Sequence, residues 1–232
     1  METDVILAIM ARQPEVGRTK TYLVPPLTHQ QAADLAAALL RDTLALAARL
    51  DGLALAVAFT PADARPYFEA LASPGTRLLP VSGRDMGARL SAAMWSLFAQ
   101  GYRRVLTIRA DGPSLPPAYI QRAAARLEDH DVVFGPGYDG GYYMVGMRAA
   151  YTRVFDGIAW GTSAVLDQSL AQAHAEGLRA AIGSPWYGVA TPRDLHRLQV
   201  ELRSLPPDQL LHTRAFLEAA DFHLDFNQLN EE

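Results

Sequence analysis

One lysine stands among the 21 basic residues of this chain, and its surroundings suggest anion chemistry. Residues 12–21 read Arg-Gln-Pro-Glu-Val-Gly-Arg-Thr-Lys-Thr and follow a short apolar run. Gly17 permits a close backbone approach, while Arg12, Arg18 and Lys20 add cations beside main-chain N–H groups. A polyphosphate calls for that combination of backbone nest and mobile positive charge. The spacing matches neither a Walker A loop nor a dinucleotide Gly-x-Gly-x-x-Gly fingerprint, and a solvated turn would use the same residues.

A second candidate lies where another apolar run stops, at Asp111 in Ala-Asp-Gly-Pro. A carboxylate there is either turn chemistry or a divalent-metal ligand facing a phosphate. A third is the stretch 135–146, with five glycines around Tyr138, Asp139, Tyr142 and Tyr143. Gly140 and Gly141 would let backbone press close to a ligand, with Asp139 accepting hydrogen bonds from hydroxyls; Asp-Gly also favours a type I′ hairpin. Trp160 offers core packing or a stacking surface for a sugar or base, and Thr162 is placed to cap a following helix. Arg84 and Arg89 could reach a phosphate or pair with Asp85 at the surface. The six histidines show no metal-ligand spacing, no serine lies in a nucleophile elbow, and no carboxylate pair points to glycoside hydrolysis.

These residues need elements to hold them. Apolar runs at 4–11, 53–60, 77–81, 104–110, 131–135 and 142–147 read as strands. The intervening stretches 28–50, 61–71, 85–100, 116–128, 162–176 and 192–202 read as helices, with Thr28 capping the first. The strands are continuously apolar, which predicts a layered α/β domain with a mainly parallel sheet covered on both faces. Ligands gather at the carboxyl ends of such strands, where the loops above lie. The region from 206 reads as helical with a polar tail, in which 221–226 alternates like an edge strand or a docked tail.

Composition narrows the possibilities. The 232 residues are half hydrophobic, enough for one sizeable core, and cysteine is absent, which removes disulfides and thiolate chemistry. A net charge of −4 argues against a broad nucleic-acid footprint. No run approaches the roughly 20 apolar residues of a membrane span. The start of the chain does not read as a secretory signal, so the expected location is cytoplasmic.

Taken in order, the motifs resemble a bacterial family of GT-A-like transferases, the radical-SAM/selenodomain-associated transferase 1 family, within the nucleotide-diphospho-sugar transferase superfamily. The match runs through Pro14, Gly17, Lys20, Thr21 and Leu23, then Asp85, Gly87 and Arg89, then Asp111 and Pro113. It continues through Gly135, Pro136, Asp139, Gly140, Gly141, Tyr142 and Tyr143, then Trp160, Gly161 and Thr162, and closes on Thr191, Pro192, Asp194 and Leu195. The resemblance, which covers roughly residues 4 to 200, implies a single three-layer, Rossmann-like GT-A domain with a mainly parallel twisted sheet; the domain is expected over 1–205, with the 206–232 helix and tail packed on it. It implies donor phosphates at Arg12, Gly17, Arg18, Lys20 and Arg89, and an acceptor or sugar near Gly140, Gly141, Tyr142 and Trp160. Asp111 and Asp139 would carry catalysis, with Mg²⁺ or Mn²⁺ on Asp111.

Three departures bear on that expectation. Tyr22 stands where the family has arginine after Lys-Thr. Asp111-Gly112-Pro113 replaces Asp-Cys-Pro. Gly188 and Ala190 stand where the family has two acids, in the segment that supplies the superfamily's second metal ligand. Losing that carboxylate should weaken Mg²⁺ binding. Asp194 is expected to serve its helix N-terminus instead. Two functions follow: a glycosyl- or nucleotidyltransferase using a nucleotide-diphosphate donor and a small-molecule acceptor, or a metal-independent, catalytically impaired nucleotide- or sugar-binding member of the same fold.

Overall fold

The computed structural model describes residues 3–220; the alternating stretch 221–226 lies outside them. Seven strands form one sheet: β1 (Val5–Arg12), β2 (Ala54–Thr60), β3 (Arg77–Pro80), β4 (Arg104–Arg109), β5 (Val132–Pro136), β6 (Tyr142–Met147) and β7 (Ala180–Ile182). Their spatial order is β3-β2-β1-β4-β6-β5-β7. β6 runs antiparallel to both its neighbours and the other pairings are parallel. The expected α/β architecture with a mainly parallel sheet is therefore observed. The short β7 escaped the sequence reading because three residues carry too little periodicity.

β1 shows why the strands read as continuous apolar runs. Val5, Leu7, Ile9 and Ala11 enter one core cluster, and the alternate Ile6 and Ala8 enter another on the opposite face. Fully burying each valine, leucine or isoleucine among them contributes about 1.5–3 kcal/mol, which a half-exposed strand gains on one face only. The described residues form seven α-helices, α1 (His29–Ala48), α2 (Arg65–Glu69), α3 (Met86–Ala99), α4 (Pro117–Arg126), α5 (Val165–Ala175), α6 (Pro192–Leu202) and α7 (Leu211–Ala219), of which α6 and α7 pack with α1 in a core of their own. α1 starts as the sequence predicts, with a capping box in which Thr28 Oγ1 accepts from Gln31 N and Gln31 Oε1 accepts from Thr28 N. α6 uses the same device: Asp194 Oδ2 accepts from the Ala190 and Thr191 amides. Asp194 is thus committed to its helix terminus. The buried Asp42 of α1 anchors the start of α7, accepting from the His212 amide (3.2 Å) and from Thr213 N and Oγ1 (2.7 and 2.6 Å).

One expectation fails. Thr162 does not cap α5, which begins at Val165 with Ala164 at the capping position and no side-chain bond. Gly161, at φ +85°, turns the chain first, and Thr162 Oγ1 donates instead to Ala159 O at 2.8 Å. The helix is fixed by a longer-range partner: the Leu166 amide donates to Gly140 O.

The chain builds β2 and β3 on one side of β1 and then crosses to β4 on the other. That reversal opens a crevice at the carboxyl ends of β1 and β4. Arg12 ends β1 and Arg109 ends β4. Because β6 runs the opposite way, its first residues join the same rim. Among the described residues, no helix is long and apolar enough to cross a membrane.

Candidate functional site

A cleft of about 720 Å³ opens at this switch point. Its walls include Arg12, Arg18, Lys20, Arg109, Asp111 and Asp139, four cations against two carboxylates in a chain of net charge −4. Tyr22, Gly141, Tyr142, Trp160 and Ala190 also line it. Gly17, Arg89 and Gly140 do not reach the wall.

The first-strand loop is held by its own bonds. The Arg18 and Thr19 amides both donate to Glu15 O, and Glu15 N donates to Thr19 Oγ1. Those two amides therefore close a turn instead of forming the expected phosphate nest. Gly17 serves that turn at φ +76° in open space. Arg18 pairs with Glu15 at 3.2 Å. Lys20 adopts the left-handed conformation, φ 48°, and only 8% of it is exposed. Its ammonium donates to Val189 O and approaches Asp111 Oδ2 at 3.4 Å. Burial pushes the Lys20 amine below its ordinary range, against the pull of Asp111. Leu23, fully buried with Leu27, Leu35, Tyr187 and Val189, pins the far end of the loop.

Arg109 organises the centre. Its Nε donates to Asp111 Oδ1 at 3.1 Å, Nη2 to Asp111 Oδ2 at 2.9 Å, and Nη1 to Asp139 Oδ2 at 3.1 Å. Burial opposes ionisation of Asp111, yet the charges of Arg109 and Lys20 prevail and hold its carboxyl down at about 2. Arg109 is itself held above the ordinary arginine range, chiefly by Asp111. The sequence reading passed over Arg109. A signal for it existed: Arg109 closes the apolar run only two residues before Asp111, which puts its guanidinium within reach of that carboxylate.

The glycine segment after Tyr187 completes this arrangement. Val189 N donates to Asp111 O at 2.8 Å, which lays residues 188–190 beside Asp111. A Cβ on Gly188 would overlap Asp111 Oδ1 and lie 2.9 Å from its Cγ. Position 188 thus faces the carboxylate as the resemblance implies, but it carries no ligating oxygen, and neither does Ala190. Among the described residues, no group of three histidines or acids could hold a metal ion.

The Gly-rich turn closes the opposite wall. Asp139 Oδ1 accepts from Gly141 N at 3.0 Å, and half of the Asp139 side chain stays exposed. The close backbone approach expected at Gly140 is real, but its partner is protein: a Cβ there would fall 2.6 Å from Ser163 Cα. Trp160 packs edge-on to Tyr142, with ring centroids 6.1 Å apart, and its indole lies against Gly87 of α3. Tyr142 is mostly buried and burial drives its hydroxyl well above the usual range, so it meets the cleft mainly as a ring. Asp85 caps α3 through Ala88 N at 2.8 Å and pairs with the exposed Arg84. Arg89 is depressed first by burial and then by the positive charge of Arg12.

The structure resembles a candidate nucleotide-diphospho-sugar transferase from Desulfovibrio desulfuricans G20, at 29% identity and TM-score 0.86, covering 94% of this chain and 95% of that one. More distant likenesses show the same fold. One is CMP:2-keto-3-deoxy-manno-octonic acid synthetase complexed with CTP, at 12% identity and TM-score 0.57, covering 86% and 98%. Another is 4-diphosphocytidyl-2C-methyl-D-erythritol synthase from Anaerococcus prevotii DSM 20548, at 10% identity and TM-score 0.56, covering 86% and 97%. No curated protein matches the sequence. The fold is that of the nucleotide-diphospho-sugar transferase superfamily. By its match over residues 43–162, the chain belongs to the bacterial family described as "Uncharacterized protein conserved in bacteria (DUF2064)".

Proposed function

We propose that the cleft binds a nucleoside diphosphate moiety, as a nucleotide or a nucleotide sugar, and that the chain is a nucleotidyl- or glycosyltransferase. The observation that carries this reading is the convergence of Arg12, Lys20 and Arg109 at the carboxyl ends of β1 and β4, in a cleft sized for such a ligand. The fold shared with a CTP-bound synthetase and a candidate nucleotide-diphospho-sugar transferase supports it. The ordered motifs support the narrower kinship with the radical-SAM/selenodomain-associated transferase 1 family.

Within this reading, Arg12 and Arg18 meet the phosphates from the exposed side of the cleft, and Arg89 raises the positive potential behind Arg12. Lys20 and Arg109 meet them from the fixed side. Trp160 and the ring of Tyr142 form a wall for a sugar or base. Asp139, half exposed beside the Gly141 amide, orients an acceptor hydroxyl. Rate enhancement comes from positioning and from stabilising the negative charge that grows on the leaving phosphate. The donors present do not fit the divalent ion that the resemblance implies. Both oxygens of Asp111 face cations, Asp139 is bound to Arg109, and positions 188 and 190 offer no side-chain oxygen.

The second reading is ligand binding without group transfer. It is favoured by the closed Arg109–Asp111 fork, since a carboxylate so engaged acts poorly as a base. Calorimetric titration with nucleoside di- and triphosphates and nucleotide sugars, followed by turnover on a donor–acceptor panel, separates the cases. Saturable binding with turnover supports transfer, and binding alone supports the second reading. If no nucleotide binds, both are wrong.

A further inference from the structure

The failure of the donor set to fit a metal has a physical counterpart in the same place. We propose that Arg109 and Lys20 together act as a built-in replacement for a divalent cation, so that the cleft binds a diphosphate without metal. This rests on the reading that the cleft takes a diphosphate.

The charge balance supports it. Asp111 and Asp139 supply two negative charges at the head of the cleft, and Arg109 and Lys20 supply two positive charges bonded to them. A divalent ion bridging two carboxylates would leave the same local balance. Geometry agrees. A guanidinium carries five N–H donors in a fixed fork, and three are engaged by the two carboxylates. The other two, one on each terminal nitrogen, stay with a side chain that is 30% exposed and lines the cleft. An arginine neither deprotonates nor dissociates near neutral pH, so its charge is permanent.

Gly188 fits this arrangement. With Asp111 drawn into the fork, its Oδ1 occupies the space that a side chain at 188 would need. An acid at 188 and the arginine at 109 thus compete for one carboxylate. Position 22, where the resemblance expects arginine, carries the exposed Tyr22, which lines the cleft without adding charge.

The test uses Mn²⁺ alone, followed by the resonance of the free ion, and inorganic pyrophosphate, followed by calorimetry. The full chain should show no saturable Mn²⁺ site tighter than about 1 mM, where a carboxylate-rich site would bind far more strongly. Its pyrophosphate affinity should change less than about threefold on adding a chelator, because no counter-ion is removed with the metal. The double variant Arg109→Ala with Gly188→Asp should gain a Mn²⁺ site and should bind pyrophosphate only when Mn²⁺ is present. Arg109→Lys, which keeps the charge and spares the fold, should lose affinity by less than Arg109→Gln, which should lose about tenfold. A tight Mn²⁺ site in the unmodified chain that Asp111→Asn abolishes would overturn the proposal, and that measurement needs no other variant. Pyrophosphate binding to the unmodified chain only when Mn²⁺ is present would overturn this proposal and leave the nucleotide reading standing. Pyrophosphate failing to bind with or without Mn²⁺ would overturn the nucleotide reading and this proposal with it.

Discussion

Arg109 at the end of β4 lays the edge of its guanidinium across both carboxylate oxygens of Asp111, at 3.1 and 2.9 Å, two residues on in the turn that follows. The pair is mostly sheltered, with 18% of the Asp111 side chain exposed, so its partners are not interchangeable with water. Removing one leaves a poorly solvated charge, which costs more than the pair contributed. Arg109→Ala should therefore lower the unfolding free energy by about 2–3 kcal/mol, less than the fully buried limit because the arginine is partly wet. Urea unfolding measures it. Arg109→Ala together with Asp111→Ala should cost less than either prediction summed, and strict additivity would show that the fork carries no coupling.

The fork also sets a pH window. The folded pKa of Asp111, about 2, lies below the ordinary value of about 3.9 for the unfolded chain. Its stabilisation is thus fully present above pH 4 and is lost as the pH falls toward 2, where the native carboxyl also protonates. Acid unfolding followed by circular dichroism should show a steep limb in that window. Asp111→Asn, already destabilised at neutral pH, should show a shallower one. An identical slope in the two proteins would mean that Asp111 does not titrate with folding.

Gly188 gives a steric test independent of charge. An added Cβ overlaps Asp111 Oδ1, and the carboxylate cannot swing away without breaking the fork. Gly188→Ala should cost about 1–3 kcal/mol, the range for overpacking a close-fitted interior. The same substitution in an Asp111→Ala background should be nearly free. Gly188→Asp alone should fail to confer metal affinity, because it adds a second carboxylate without freeing the first.

How much of this was legible beforehand depends on the range of the interaction. The strands were readable because both faces of β1 are buried, and that writes continuous apolar runs into the sequence. The starts of α1 and α6 were readable because capping boxes are local. The start of α5 was not, since its first turn is satisfied by Gly140, 26 positions away. The residues of the cleft were mostly named from their spacing: Arg12, Arg18, Lys20, Asp111, Asp139, Gly141, Tyr142 and Trp160 all line it. Their pairing was not. The two-residue spacing of 109 and 111 hints at one contact, but nothing local tells that Lys20 would also close on Asp111, or that the Arg18 and Thr19 amides would turn inward to Glu15. Gly188 and Ala190 were visible in the sequence, but the close approach of Gly188 to the Asp111 carboxylate appears only in the fold.

Asp42 extends the argument to the other end of the chain. This buried carboxylate receives two amides and a hydroxyl from the first turn of α7, where free N–H groups and the helix dipole favour a negative charge. Those bonds and the packing of Phe216 and Leu217 tie the described part of the C-terminal region to α1. Asp42→Ala should cost about 2–3 kcal/mol, since it leaves buried donors unsatisfied. Amide exchange should rise throughout α7, and unfolding should stay a single cooperative step if the helix belongs to the domain. Separate melting of α7, with α1 unaffected, would show an independent unit.

Lys20 yields the last prediction. Its amine is the sole side-chain amine in the chain, yet it is 8% exposed and bonded to Val189 O and Asp111. Acylating reagents need the neutral amine to reach solvent. Burial lowers its pKa, which favours the neutral form, but also blocks access, and the second effect should dominate in the folded protein. Side-chain acylation should therefore be at least about tenfold slower in native than in urea-unfolded protein, following the population of opened states. Mass spectrometry of the peptide containing residue 20 reads the rate. Saturating nucleotide should slow it further if the ligand sits over Lys20. Replacement separates the roles of this residue: Lys20→Met keeps the aliphatic stem but leaves Asp111 with Arg109 alone, so phosphate affinity should fall about tenfold or more while the fold persists. Full nucleotide affinity in a folded Lys20→Met protein would remove Lys20 from the phosphate site and leave it as an anchor for residues 188–190.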